Sequence, residues 1–247
     1  MKKTREKLLL QSALIERTIL VCLFQTWPIL FDTFFAYKLI KRAKSHSTIT
    51  LSCFFIFNAL GLLIPIISIF LANTPFAYLC YVIAFYIYIF AQSFIVIFSW
   101  LIVNLDERLH YKKYYLGIFF YGIISTYVFW VGIFLKGIRY DSGTSWIPIF
   151  SWLFLFISWS YVITFLIVPE IILAVKLIYI FEGLKIKRRI KLFILSTILE
   201  FSIVLLLILY NTWISNTVFK LVFIFIMQPL STLAVYFIYK SFVKGLE

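Results

Sequence analysis

Apolar residues run along this chain in long unbroken blocks and do not alternate with polar ones. Seven blocks, at roughly 18–38, 50–72, 78–103, 115–135, 147–180, 191–212 and 217–239, each reach the length of about 20 mostly apolar residues that a membrane-spanning helix needs. Backbone polar groups in lipid are satisfied only within helices or closed barrels, and continuous apolar runs without a period of two specify helices. The connections are short, at Ala72-Asn73-Thr74-Pro75, Asp141-Ser-Gly143-Thr144 and Trp213-Ile-Ser-Asn216. The pattern predicts an all-α integral membrane protein, a seven-transmembrane helix bundle forming one domain over 18–240. A retained lead-in at the membrane interface precedes it over 1–17, and a short cytoplasmic tail follows over 241–247.

The fifth block is the longest. It begins at Trp146-Ile-Pro148-Ile-Phe150, which reads as the start of a helix, and at about 34 residues it exceeds the bilayer. This predicts a helix that extends past the membrane, with Glu170 and Lys176 near the inner boundary and a kink at Pro169.

Composition agrees with lipid as the solvent. Of 247 residues, 64% are hydrophobic and only 13% charged, where a soluble domain averages about a quarter charged. The net charge of +13 would suggest nucleic acid in a soluble protein, but the basic residues cluster between the apolar blocks. They read as topogenic charge beside anionic headgroups. Partners are therefore membrane lipids and not nucleic acid. Cys22, Cys53 and Cys80 have no metal-binding spacing and read as small core residues.

Lys and Arg counts set the orientation. One side holds fourteen: Lys38, Lys41, Arg42, Lys44, Arg108, Lys112, Lys113, Lys185, Lys187, Arg188, Arg189, Lys191, Lys240 and Lys244. The other holds eight: Lys2, Lys3, Arg5, Lys7, Arg17, Lys136, Arg139 and Lys220. The positive-inside bias predicts a multi-pass cell-membrane protein with its N-terminus outside and its C-terminus in the cytoplasm. Trp27, Trp100, Trp130, Trp146 and Trp213 lie mostly near block ends, as interfacial anchors do.

Ionisable and amide groups inside the blocks are the main functional signal, since an Asp at a helix centre costs about 2.5–3.5 kcal/mol on insertion scales. Asp32 lies in the first block, with Gln25 seven residues earlier on the same helical face. Glu170 lies in the fifth. Glu200 lies in the sixth, four residues after Ser196 and so on its face. Asn58, Gln92 and Gln228 add polar groups in blocks two, three and seven. Together they could line a polar binding cavity; the plainer alternative is that each acid bonds a neighbouring helix and only sets packing. Asp106-Glu107-Arg108 reads as an ordinary charged helix end, and His46 and His110 have no ligand partners at useful spacing. No Ser/His/Asp arrangement, H-E-x-x-H or glycine-rich phosphate loop occurs, so neither an enzyme nor a cofactor is expected. Trp27-Pro28-x-x-Phe31 and Trp146-x-Pro148-x-Phe150 have the look of a duplication, but such residues are common in membrane helices.

Trp146-x-Pro148-x-Phe150, the Lys185-Ile-Lys187-Arg188-Arg189 connection, and Pro229 followed by Tyr236 and Tyr239 carry a resemblance to the seven-helix N-terminal sensor region of membrane histidine kinases. It covers roughly residues 18–240. That resemblance implies a receptor-like sensor whose output, with no kinase domain in this sequence, passes to a separate cytoplasmic signalling protein. The basic residues Lys185, Lys187, Arg188, Arg189 and Lys191 would face that partner. G-protein-coupled receptors are a more distant likeness. Glu107-Arg108 is followed by Leu109 where that family has Tyr, Gln228-Pro229 leads to Thr232 where it has Tyr, and Cys80 finds no Cys within 137–146. Microbial rhodopsins are excluded by the lack of a Lys in the middle of the seventh block.

The leading expectation is a non-enzymatic sensor. A small proton- or cation-coupled transporter using Asp32, Glu170 or Glu200 is the alternative, and a structural subunit of a membrane complex is the third.

Overall fold

The computed structural model describes residues 2–42, 45–104 and 111–243. Its helices are α1 (Lys2–Arg42), α2 (His46–Phe70), α3 (Phe76–Val103), α4 (Tyr111–Phe134), α5 (Trp152–Ile180), α6 (Leu184–Thr212) and α7 (Thr217–Phe242). Between α4 and α5, β1 (Ile138–Arg139) and β2 (Ile149–Phe150) pair antiparallel, Ile138 opposite Phe150 and Arg139 opposite Ile149. Among the described residues six helices, α2 to α7, are long and apolar enough to cross a membrane, which is the makeup of a helical multi-pass membrane protein. The first predicted run lies inside α1, a single helix of 41 residues. Asp106-Glu107-Arg108, Leu109, His110, Lys44 and the tail 244–247 lie outside the described residues.

α3 is the axis. It buries 78% of its most apolar stretch, whereas α4, α5 and α7 each bury 22% of theirs. Gly61 makes the tight α2–α3 contact possible: a Cβ there would sit 2.8 Å from the Tyr88 Cβ and 2.9 Å from its Cα. On the side of the α6 N-terminus the bundle is closed by rings. Phe35 stacks on Tyr239 at 4.3 Å and meets Phe55 edge-on, and Phe98, Phe193 and Phe242 form a mutually perpendicular set.

The start of the fifth span corrects the sequence reading. Trp146–Phe150 is not helical. Pro148 disfavours the α conformation at Ile147, the next two residues join the hairpin, and the helix begins only where Ser151 accepts a hydrogen bond from the Phe154 N–H at 3.2 Å. The span is therefore 29 residues, no longer than α6 and one residue longer than α3, so its length does not set it apart. Trp146 is not an interfacial anchor either. It is 6% exposed, in the left-handed region at φ 57°, with its ring edge-on to Tyr140 at 5.5 Å. Tyr140 in turn stacks on Tyr81 at 4.8 Å and its hydroxyl lies 2.9 Å from that of Ser68, which pins the hairpin to α2 and α3. Because Pro28 lies within α1 and Pro148 in a loop, the two Trp-Pro-Phe motifs occupy unrelated structures.

The basic cluster is also corrected. Lys185, Lys187, Arg188, Arg189 and Lys191 form the first turns of α6 and are not a loop; Gly183 precedes them, and its carbonyl accepts the Lys187 N–H at 2.8 Å. Lys185, Arg188 and Lys191, three residues apart, are exposed along one face.

Pro169 acts through a wider turn. Residues Val162–Ile167 form a π-helical segment just before it. Proline has no N–H and its ring crowds the carbonyl four residues back, here Phe165. That carbonyl accepts the Tyr121 hydroxyl at 2.9 Å instead. α7 repeats the arrangement, with a π segment Phe223–Met227 ahead of Pro229.

Candidate functional site

Five helices bring polar groups to the middle of the bundle. The Asn58 amide on α2 donates to Asp32 Oδ2 on α1 at 2.8 Å, and Gln92 on α3 reaches the Asn58 carbonyl oxygen with a long contact of 3.4 Å. From α7, Ser231 donates to Glu200 Oε2 on α6 at 3.2 Å. Asp32 and Glu200 are close enough to interact electrostatically with each other and with the Tyr88 hydroxyl. All of Asp32, Gln92 and Glu200 are fully buried. Four oxygens, Gln25 Oε1, Asp32 Oδ1, Gln92 Oε1 and Glu200 Oε1, have no hydrogen-bond partner among the described residues. Chemically the cluster can accept protons or donors.

Above this cluster, in the half of the bundle away from the α6 N-terminus, lies a cavity of about 440 Å³. That is within the roughly 300–1,000 Å³ typical of small-molecule sites. Asn58, Tyr88 and Ser231 form its floor, and Gln25 and Gln228 its sides. Asn211, Lys220 and the Ile147-Pro148 segment lie at its other end. The hairpin that replaced the predicted helix start is thus part of the wall. A second, outer groove of about 660 Å³ between α1 and α7 shares Pro28 and Gln228 with the cavity.

The sequence candidates therefore divide. Asp32, Asn58, Gln92 and Glu200 converge, and Gln228 lines the cavity above them. Glu170 stands apart: it is fully buried against α3, where Ser99 donates to its Oε1 at 2.8 Å. Ser196 does not serve Glu200; its hydroxyl bonds the Leu192 carbonyl at 2.7 Å, as intrahelical serines commonly do. Ser231, Tyr88 and Lys220 were not singled out. Ser231 had a readable signal, standing one turn after Gln228 on the same face. Lys220 read only as topogenic charge. Among the described residues no group of three or more His, Cys, Asp or Glu side chains is placed to hold a metal ion. The cysteines are free, and His46 lies beside the Tyr114 ring at 5.5 Å.

No family model matches this chain, and neither does any curated protein or solved structure.

Proposed function

We propose that this protein is a seven-span receptor-like sensor of the cell membrane, with α1 as its first span, the N-terminus outside and the C-terminus in the cytoplasm. The observation that carries the reading is the cavity: it is walled by five helices, has a polar floor and is bounded below by a packed layer of rings around Phe35 and Phe98. A ligand held there touches α6 and α7 at Leu207 and Gln228. A shift of α6 would move the exposed Lys185, Arg188 and Lys191 at its far end, the surface assigned to a cytoplasmic signalling partner. Binding energy that differs between two helix arrangements is what makes a receptor.

A second reading is a proton- or cation-coupled transporter, and the juxtaposition of Asp32 and Glu200 favours it, because two buried acids beside a cavity can carry a proton. Proteoliposomes separate the two. For a sensor, a compound that binds the cavity saturably is not carried across the bilayer, and binding changes the distance between spin labels placed at positions 113 and 188. Flux of that compound, abolished by Glu200→Gln, would sink the sensor reading and establish the transporter.

A further inference from the structure

The cavity carries a feature that neither reading uses, and it names a ligand class. Lys220 stands about one turn into α7, after the Asn216 cap. A lysine at the end of a membrane helix usually lays its stem along apolar surface and sends its charge to the headgroups. Lys38 and Lys240 do the related thing of lying over rings of their own helices, 4.6 Å from Phe34 and 5.5 Å from Tyr236. Lys220 instead lines the internal cavity, half-buried and with no acidic partner among the described residues. A cation in the wall of a largely apolar cleft calls for an anion.

Leu62, Ile203, Leu207, Phe223 and Ile224 give an apolar face to the wall between Lys220 and the floor, beside the amides of Gln25 and Gln228. Two of the three floor residues already donate within the cluster, Asn58 to Asp32 and Ser231 to Glu200. From Lys220 to Ser231 the wall covers about 16 Å of helix at about 1.5 Å per residue. That is half of a hydrocarbon core of roughly 30 Å, the depth filled by one acyl chain. The outer groove supplies a route from the bilayer: Trp27, Phe31, Leu233 and Tyr236 line it and are exposed, and Pro28 and Gln228 separate it from the cavity.

Resting on the cavity reading above, we propose that the occupant is a single-chain anionic amphiphile, a long-chain carboxylate drawn from the membrane. Its head group pairs with Lys220 and its chain lies between α2, α6 and α7. A charge-assisted hydrogen bond fixes the head, and apolar burial holds the chain.

The test uses the full chain in nanodiscs of neutral lipid, with radiolabelled palmitate as the probe. Palmitate is expected to bind saturably, with Lys220→Gln weakening it by about tenfold and Lys220→Arg staying within about threefold, as loss or retention of a charge-assisted bond requires. Hexadecanol and butyrate should each compete at least about tenfold less well, lacking the charge or the chain. Unchanged binding in Lys220→Gln, or equal competition by hexadecanol, overturns the head-group assignment. Equal competition by butyrate overturns the chain. Binding of hexadecyltrimethylammonium in place of palmitate, blocked by Leu207→Trp, overturns the anionic class and leaves the cavity reading standing. If neither amphiphile nor butyrate binds, and Leu207→Trp folds with unchanged stability, both fall.

Discussion

The Tyr121 hydroxyl donates to the carbonyl of Phe165, four residues before Pro169, which has no N–H to offer it. α4 thereby completes the backbone of α5 across the helix interface. Interhelical hydrogen bonds of this kind contribute roughly 0.5–2 kcal/mol in membranes. Tyr121→Phe should lower stability by about that amount, read by thermal or steric-trap unfolding in lipid. Adding Pro169→Ala to Tyr121→Phe should recover part of the loss, because the Ala N–H can then serve the helix; no recovery would mean that the hydroxyl acts elsewhere.

Asn58 and Asp32 should behave as a coupled pair. Asn58→Leu leaves a buried carboxyl oxygen without its donor, a loss of about 1–3 kcal/mol. Replacing both residues with Leu should be less damaging than the sum of the single changes, with a coupling of about 0.5–3 kcal/mol. Additive effects in a double-mutant cycle would show that the 2.8 Å contact does not stabilise the fold.

Gly61 and Gly117 make a matched comparison. A methyl at Gly61 would meet the α3 backbone at Tyr88, whereas one at Gly117 meets nothing within 4 Å. Gly61→Ala should cost about 1–3 kcal/mol through forced separation of α2 and α3, and Gly117→Ala should be neutral or slightly stabilising. Equal melting temperatures for the two variants would contradict this contact.

Ser151 sets where α5 begins. Ser151→Ala removes the cap on the Phe154 N–H and should cost about 1 kcal/mol. Amide exchange should rise first over residues 152–155 and at residue 151, whose N–H donates to the Gly137 carbonyl at 2.8 Å. Exchange that rises evenly along α5 would place the helix start elsewhere.

These residues also mark how far the sequence could be read. Block length and continuity located the helices, because lipid leaves the backbone no other arrangement. The polar residues inside the blocks pointed to Asp32, Asn58, Gln92 and Glu200, since each needs a partner away from lipid. Their pairing was not legible. Ser196 looked like the companion of Glu200 by spacing, yet a serine hydroxyl finds its own helix carbonyl first, and the acid turns to Ser231 on another helix. The hairpin was hidden for a different reason: Trp146–Phe150 is as apolar as any membrane helix, and its burial against Tyr140 and Tyr81 is tertiary. Lys220 was visible as a charge, but only its position in the cavity wall separates it from a topogenic lysine.

A π segment is an α-helix carrying one residue more than its hydrogen-bond ladder needs. Deleting a single residue within Val162–Ile167 would restore regular winding and turn the far half of α5 by about 100°. Phe154 and Leu155, now in the core, would then rotate toward lipid. The same holds for Phe223–Met227 and the Lys220 end of α7. A homologous chain one residue shorter in either place would thus keep its span and its proline but turn different side chains toward its neighbours, and in α7, where Lys220, Phe223 and Ile224 line the cavity, such a single-residue gap is a route by which this scaffold can change what it recognises.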